Sequence, residues 1–336
     1  MAENVKSRRS GRLVRQTFAI VIETENLALE GSGALLRCLK SLQGQQIDLA
    51  AAHDIVVVNC GQVTTDLKEE LSSNHPYLRV LELPAETGYY DAKMQGAASA
   101  IGEIVVFCDS DVEYDSRWLA AMLEPFDQSS DVEFVCGQTS YRITGPYSLA
   151  LLLSFRFPPF SARRRWFPCT GYAANAFAMR RSLLQRVPIP TKNGISHGNC
   201  RMHADQMLSD GVVIWKQPSA KAFHPLLRPD RFLVRFFLGG HHAWLRYMTI
   251  SRERRARRGV VLSGLLHFAQ LLRLAARQLL MPVYRLPGAL GSGWCNLLFL
   301  PLALPLVIVA NTFFVAGLVA TVFAPRLDLS GWTDRS

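Results

Sequence analysis

The sequence predicts an α/β fold: a mostly parallel sheet flanked by helices, followed by C-terminal interfacial and transmembrane helices. Three observations predict it. Short apolar runs alternate with amphipathic segments through the first third of the chain, as right-handed βαβ units require. The run Ile104-Val105-Val106-Phe107-Cys108 ends in Asp109-Ser110-Asp111, which reads as a buried parallel strand entering an acidic loop. Finally, residues 259–325 contain three Arg, no Lys and no acid, a composition suited to lipid.

Lys6, Arg8, Arg9, Arg12 and Arg15 make residues 1–16 a basic flexible arm. The apolar run after it, 18–22, is too short for an export signal, so the catalytic part is expected on the cytoplasmic face. Residues 18–22 form a first strand, turning at Glu23-Thr24-Glu25-Asn26. Leu35, Leu36, Leu39 and Leu42 then recur at helical spacing over 33–43. A second strand, 54–58, ends in Asn59-Cys60-Gly61; a polar helix near 65–72 and a third strand over 77–83 follow. Residues 88–100 are rich in small side chains, as in a helix packed closely on a sheet. The fourth strand, 104–108, carries the acidic triplet, and 132–143 reads as another strand. An aromatic, Arg-rich stretch over 150–168 breaks the alternation.

The formal net charge of +10 is unevenly placed. Residues 225–258 hold nine Arg and two acids, directly before the acid-free apolar block. That arrangement fits an anionic membrane surface. It does not fit nucleic acid, which calls for basic residues interleaved with aromatics on a folded face. The seven cysteines are scattered with no Cys-x-x-Cys pair, and read as buried, reduced thiols.

Two carboxylates at a strand tip make a hard oxygen site suited to Mg²⁺ or Mn²⁺ bridging nucleotide phosphates. Further pieces stand in order around it. Val21-Ile22-Glu23-Thr24-Glu25-Asn26 resembles Val-Ile-Pro-Thr-Tyr-Asn, and 54–61 resembles a strand ending in Asp-Asp-Gly. Residues 88–96 resemble Gly-x-x-x-Ala-Arg-Asn-x-Gly, and Gly102-Glu103 leads into the acidic strand. Residues 171–181 resemble a Gly-x-x-x-x-x-x-Arg-Arg segment. Asp205-Gln206-Met207-Leu208, Gly211, Pro218 and His224 resemble a closing Glu-Asp-x-x-Leu … Gly … Pro … His. Together, residues 17–224 resemble a family 2 glycosyltransferase of the GT-A, Rossmann-like fold, membrane-associated and of the non-processive type. The processive Gln-x-x-Arg-Trp motif is absent from 240–246.

That resemblance implies an inverting, metal-dependent transfer of one sugar from a nucleotide-sugar donor. It implies Asp205 as general base and Asp111, Asp109 and His224 as the metal set. Donor binding falls to Glu23, Thr24, Glu25, Asn59, Gly88, Lys93, Asp109 and Ser110. Gly171, Asn175 and Arg181 fall on the acceptor side. The chain departs from the pattern at Glu23 and Glu25, at Asn59-Cys60 and at Lys93-Met94. An Asn at 59 both donates and accepts, where Asp only accepts.

The remaining organisation is a basic juxtamembrane segment over 225–258, an amphipathic interfacial helix over 259–290, a transmembrane segment over 294–325 and a tail over 326–336. Arg273 and Arg277, one turn apart among Leu and Ala, suit an interfacial helix with snorkelling arginines. Residues 296–324 are long enough to span as one tilted helix, with a re-entrant hairpin at Pro301 and Pro305 as the alternative. The expected acceptor is a lipid-linked or cell-envelope glycan at the membrane. The alternatives are transfer to polyprenyl phosphate, or a catalytically degenerate, membrane-bound glycan-binding scaffold.

Overall fold

The computed structural model describes residues 16–191, 198–258, 264–291 and 293–324. The basic arm and the C-terminal tail lie outside the described residues.

Strand β1 (Phe18–Glu23) leads through a short helix, α1 (Leu27–Glu30), into α2 (Ser32–Gln43). There follow β2 (Asp54–Asn59), α3 (Thr65–Asn74), β3 (Leu78–Glu82), α4 (Tyr89–Ser99) and β4 (Ile104–Asp109). Strands β1 and β4 are buried at every position. That explains their unbroken apolar runs: a strand covered on both faces has no polar side to alternate with. The order β3-β2-β1-β4 is parallel throughout. All four carboxyl ends therefore emerge on one edge, and register sets Glu23 beside Asp109 there.

After the acidic tip come β5 (Glu113–Tyr114), α5 (Trp118–Gln128) and β6 (Phe134–Ser140). Helix α6 (Pro146–Ser154) precedes β7 (Phe167–Cys169), β8 (Ala176–Arg180), α7 (Arg181–Arg186), α8 (Asn199–Ser209) and β9 (Ile214–Phe223). These strands extend the sheet in the order β4-β8-β6-β9-β5, with β7 on β9. Strand β8 runs antiparallel to both β4 and β6. The sheet is thus mixed, with β1–β4 forming a parallel block.

Helix α4 lies close on this half because of Gly96. A Cβ there would stand 2.5 Å from Val58 Cγ2 and 2.7 Å from Val21 Cγ1. Gly96→Ala is expected to cost about 1–3 kcal/mol through overpacking, read as a lower denaturation midpoint at unchanged slope. The far end of α4 is held by Arg181. Its guanidinium donates to the carbonyls of Gly102 (2.7 Å), Ala97 (2.9 Å) and Ala100 (2.8 Å). Those are the orphan acceptors of a helix C-terminus and its following turn. Arg181 also donates its backbone N–H to Glu103, at the start of β4. Arg181, expected on the acceptor side, thus stands at the opposite end of β4 from the acidic tip, where it closes a helix.

The chain divides into two compact units. One comprises residues up to Gly137, Arg165–Pro188 and Met207–Ala222; the other comprises Gln138–Arg164, Ile189–Gln206 and everything from Phe223 onward. Within the second unit α6, buried from Ser148 to Ser154, packs with the C-terminal helices.

Those helices are α9 (Phe232–Arg258), α10 (Gly264–Gly291) and α11 (Leu300–Phe323). The basic segment over 225–258 is therefore largely helix. Gln278 on α10 donates to Asn311 Oδ1 on α11 and to the Ser154 carbonyl of α6, both at 2.9 Å. Arg285 donates to the Leu152 and Phe155 carbonyls, closing the C-terminus of α6. Helices α9 and α11 meet backbone to backbone. A Cβ at Gly240 would run into the Phe314 carbonyl, and one at Gly317 into that of Phe237. His241 Nδ1 bonds Thr321 Oγ1 at 2.8 Å across the same contact. Helix α11 passes through Pro305 unbroken, so no hairpin forms at that proline. Its 24 residues reach about 36 Å. Among the described residues one helix, Cys295–Phe323, is long and apolar enough to cross a membrane, and a third of its most apolar stretch is buried.

Candidate active site at the tips of the parallel strands

The centre of the site is Asp109, which ends β4 and is 4% exposed. Lys93, one turn after Tyr89 on α4, is fully buried and places Nζ 2.6 Å from Asp109 Oδ1. Nζ also donates to the Cys108 carbonyl at 3.1 Å and lies 4.7 Å from the Tyr89 ring centroid. The Tyr89 hydroxyl donates to Asp109 at 2.8 and 2.9 Å from its two oxygens. Below them the Tyr114 hydroxyl accepts from the Asp109 N–H at 3.0 Å and donates to the Asn175 carbonyl at 2.8 Å. An ion pair this deep persists only because almost every remaining valence is taken.

Asp111 stands beside this cluster. Asn26 Nδ2 donates to its Oδ1 at 3.2 Å. Glu23, on the neighbouring strand tip, is fully buried, and its Oε1 accepts from the Glu25 N–H. Burial pushes the Glu23 carboxyl well above the usual carboxylate range, with Lys93 opposing and Asp109 reinforcing the shift. Glu25 is also raised, by burial and by the Asp109 charge. Two buried oxygens here lack any protein hydrogen-bond partner: Glu23 Oε2 and Ser110 Oγ. Gly88 caps α4, and a Cβ at Gly88 would meet nothing within 4 Å, so a ligand can approach this helix N-terminus closely.

The strand tips thus bring together Glu23, Glu25, Gly88, Lys93, Asp109, Ser110 and Asp111. Two residues expected among them are engaged elsewhere. Thr24 spends its hydroxyl on the Val58 carbonyl at 2.7 Å. Asn59 donates to Glu82 Oε2 (2.7 Å) and accepts from the Gly61 and Val63 N–H groups (3.0 and 2.8 Å). Both fasten the loops around β2 through these bonds. Tyr89, Tyr114 and Asn26 were missed as site residues. The only sequence signal was the four-residue spacing from Tyr89 to Lys93, which sets both on one helix face.

Gly171 follows β7, and Asn175 precedes β8, 3% exposed and presenting its carbonyl to Tyr114. Asp205 and His224 belong to the second unit. Asp205 on α8 pairs with Arg201, one turn earlier, at 3.0 Å. His224 Nδ1 lies 2.9 Å from the Pro225 carbonyl, which favours the tautomer with the lone pair on Nε2. Its ring rests near Phe157 at 4.8 Å.

The donor set suits a hard divalent cation held partly by a substrate. Among the described residues no three His, Cys, Asp or Glu side chains gather into a metal cage. One or two carboxylates plus phosphate oxygens is how Mg²⁺-type ions are commonly bound.

The profile of Glycosyl transferase family 2 matches residues 28–187. N-acetylgalactosaminyltransferase 6 of Drosophila melanogaster is 37% identical over 60 residues, 18% of this chain and 9% of that relative's length. Among solved structures, the mannosyltransferase PcManGT from Pyrobaculum calidifontis in complex with GDP-Man and Mn²⁺ superposes with a TM-score of 0.57 at 17% identity, covering 92% of this chain and 87% of that one. GalNAc-T7 with UDP, GalNAc and Mn²⁺ gives 0.52 at 16% identity, covering 63% and 44%. The alternating parallel half and the acidic strand tip agree with these likenesses: residues 28–187 match the family 2 glycosyltransferase model, and the fold is similar to that of GT-A glycosyltransferases.

Proposed function

We propose that the protein transfers one sugar, with inversion, from a nucleotide-sugar donor to an acceptor presented at a membrane. The observation that carries this reading is the buried Lys93–Asp109–Tyr89 cluster with Asp111 beside it at the parallel strand tips. A scaffold has no need of a desolvated lysine locking one carboxylate next to another. Both solved relatives named above hold a nucleotide and Mn²⁺, which supports a Mg²⁺ or Mn²⁺ requirement here. When bound, such an ion neutralises the charge that grows on the leaving diphosphate.

The residues divide the work. Asp111 is the carboxylate facing the cation, and His224 Nε2 is a further ligand. Asp109, already committed to Lys93 and Tyr89, fixes the loop and offers an edge to the ribose. The N-terminus of α4 at Gly88 and the unpartnered Ser110 hydroxyl meet donor oxygens. Gly171 and Asn175 border the acceptor. Asp205 takes the proton of the attacking hydroxyl, with Arg201, paired to it at 3.0 Å, orienting its carboxylate. Asp205→Asn is expected to lower transfer from a radiolabelled donor by about 10²–10⁴-fold with donor affinity unchanged in calorimetry. Turnover within a few-fold of wild type would remove Asp205 from this role.

Membrane presentation is supported by apolar side chains left bare on two helices. Phe268, Val283 and Tyr284 on α10 are 59–78% exposed, and Leu302, Ile308 and Phe323 on α11 are 65–79% exposed. Such a surface marks a lipid or protein partner. With α11 in the bilayer and the site on the cytoplasmic face, a lipid-linked or envelope glycan is the natural acceptor. Label recovered in a mild-acid-labile lipid would instead identify polyprenyl phosphate as the acceptor.

A further inference from the structure

Of the seven cysteines, two are set apart by their surroundings. Cys136 is fully buried in β6, Cys169 is partly exposed at the end of β7, and their sulfurs lie 3.8 Å apart. Strand β7 is three residues long and pairs with β9 through Phe167↔Lys216 and Cys169↔Ile214. The Cys169 thiol also donates to the Gly171 carbonyl at 3.3 Å. The contact with Cys136 pulls the Cys169 thiol down to about 6, helped by the Lys216 charge against the cost of burial. The same contact, with burial, pushes Cys136 up. Three other cysteines are inert by comparison: burial lifts Cys60 to about 11, Cys108 to about 12 and Cys38 well above its ordinary value.

We propose that Cys169 and Cys136 form a peroxide-reactive dithiol, with Cys169 the attacking sulfur and Cys136 the resolving one. A nucleophilic thiolate within reach of the medium, backed by a protonated thiol, is the arrangement such chemistry uses. The Cys169 thiolate attacks one oxygen of the peroxide. The O–O bond breaks, the S–OH bond forms, and the departing oxygen takes a proton to leave as water or alcohol. Cys136, giving up its proton, then attacks the Cys169 sulfur. The S–O bond breaks, water leaves, and the disulfide forms. The two thiols are oxidised by two electrons and the peroxide is reduced by two. Closing 3.8 Å to the roughly 2.05 Å of a disulfide asks for a shift of about 1.8 Å, which falls on the short strand β7. The disulfide would tie β6 to the residue two places before Gly171. On a cytoplasmic face such a bond is transient and reducible.

The test uses the full chain in detergent at pH 7, treated with graded hydrogen peroxide, alkylated and mapped without reduction. The expected result is a peptide linking Cys136 to Cys169, a whole-chain mass lower by two hydrogens, and full reversal by dithiothreitol. Before oxidation, iodoacetamide should label Cys169 at least about ten-fold faster than Cys60 or Cys295, because the thiolate is the nucleophile. In Cys136→Ser, dimedone should trap a sulfenic acid at Cys169. Labelling of Cys169 no faster than of Cys60, or peroxide leaving 136 and 169 unlinked while other cysteines react, overturns the proposal.

Discussion

Replacing Lys93 by Met is expected to destabilise the protein by about 3–5 kcal/mol, among the largest losses any single change in this chain can produce. The ammonium is wholly buried, 2.6 Å from a carboxylate that is itself almost inaccessible. Removing it leaves the Asp109 carboxyl buried and short of its counter-charge. The Tyr89 hydroxyl and the Tyr114 contact remain, but neither carries a positive charge. Glu23 makes matters worse. Its carboxyl is already held above its usual range by burial and by Asp109, and Lys93 is the group opposing that shift. Chemical denaturation of the detergent-solubilised chain reads the loss. The paired variant Lys93→Met/Asp109→Asn removes both charges and should recover part of it. A loss below about 1 kcal/mol, the scale of an exposed ion pair, would show that Asp109 is compensated by another route.

Asp111→Asn is the second large effect, of a different kind. Stability should change little, because an amide still accepts from Asn26 in the geometry seen at 3.2 Å. Transfer should fall by about 10²–10³-fold, the scale on which electrostatic stabilisation of a developing charge is lost. Titration calorimetry with Mn²⁺ and a panel of nucleotide sugars separates the possibilities. The wild type should bind one donor in the presence of the metal, and the variant should lose that metal-dependent binding. Transfer within a few-fold of wild type in the variant would move the cation away from Asp111.

How much of this the chain disclosed on its own follows from where each signal resides. The parallel half was readable because β1 and β4 are buried throughout, so their apolar runs are uninterrupted in sequence as well as in space. The α2 stripe was readable because Leu35, Leu39 and Leu42 all turn inward. Asp109 and Asp111 were readable because they sit immediately after such a run. The antiparallel half was not, since which neighbour β8 chooses is decided by contacts with β4 and β6, not by any local pattern. Thr24, Asn59 and Arg181 mark a second limit. Resemblance assigned each a position in a motif, while hydrogen bonds to Val58, Glu82 and the end of α4 decide what each side chain does. Tyr114 could not have been found, because its two partners are 5 and 61 residues away along the chain.

The glycine crossing of α9 and α11 bears on how the protein can be handled. Because Gly240 and Gly317 let main chains touch, the most apolar helix is a structural member of its unit rather than a detachable tether. Cutting the chain before it would strip one side of α9 and the leucines of α6 of their cover, exchanging one greasy surface for another. Solubility is better sought in a lipid nanodisc that keeps the hinge of glycines closed.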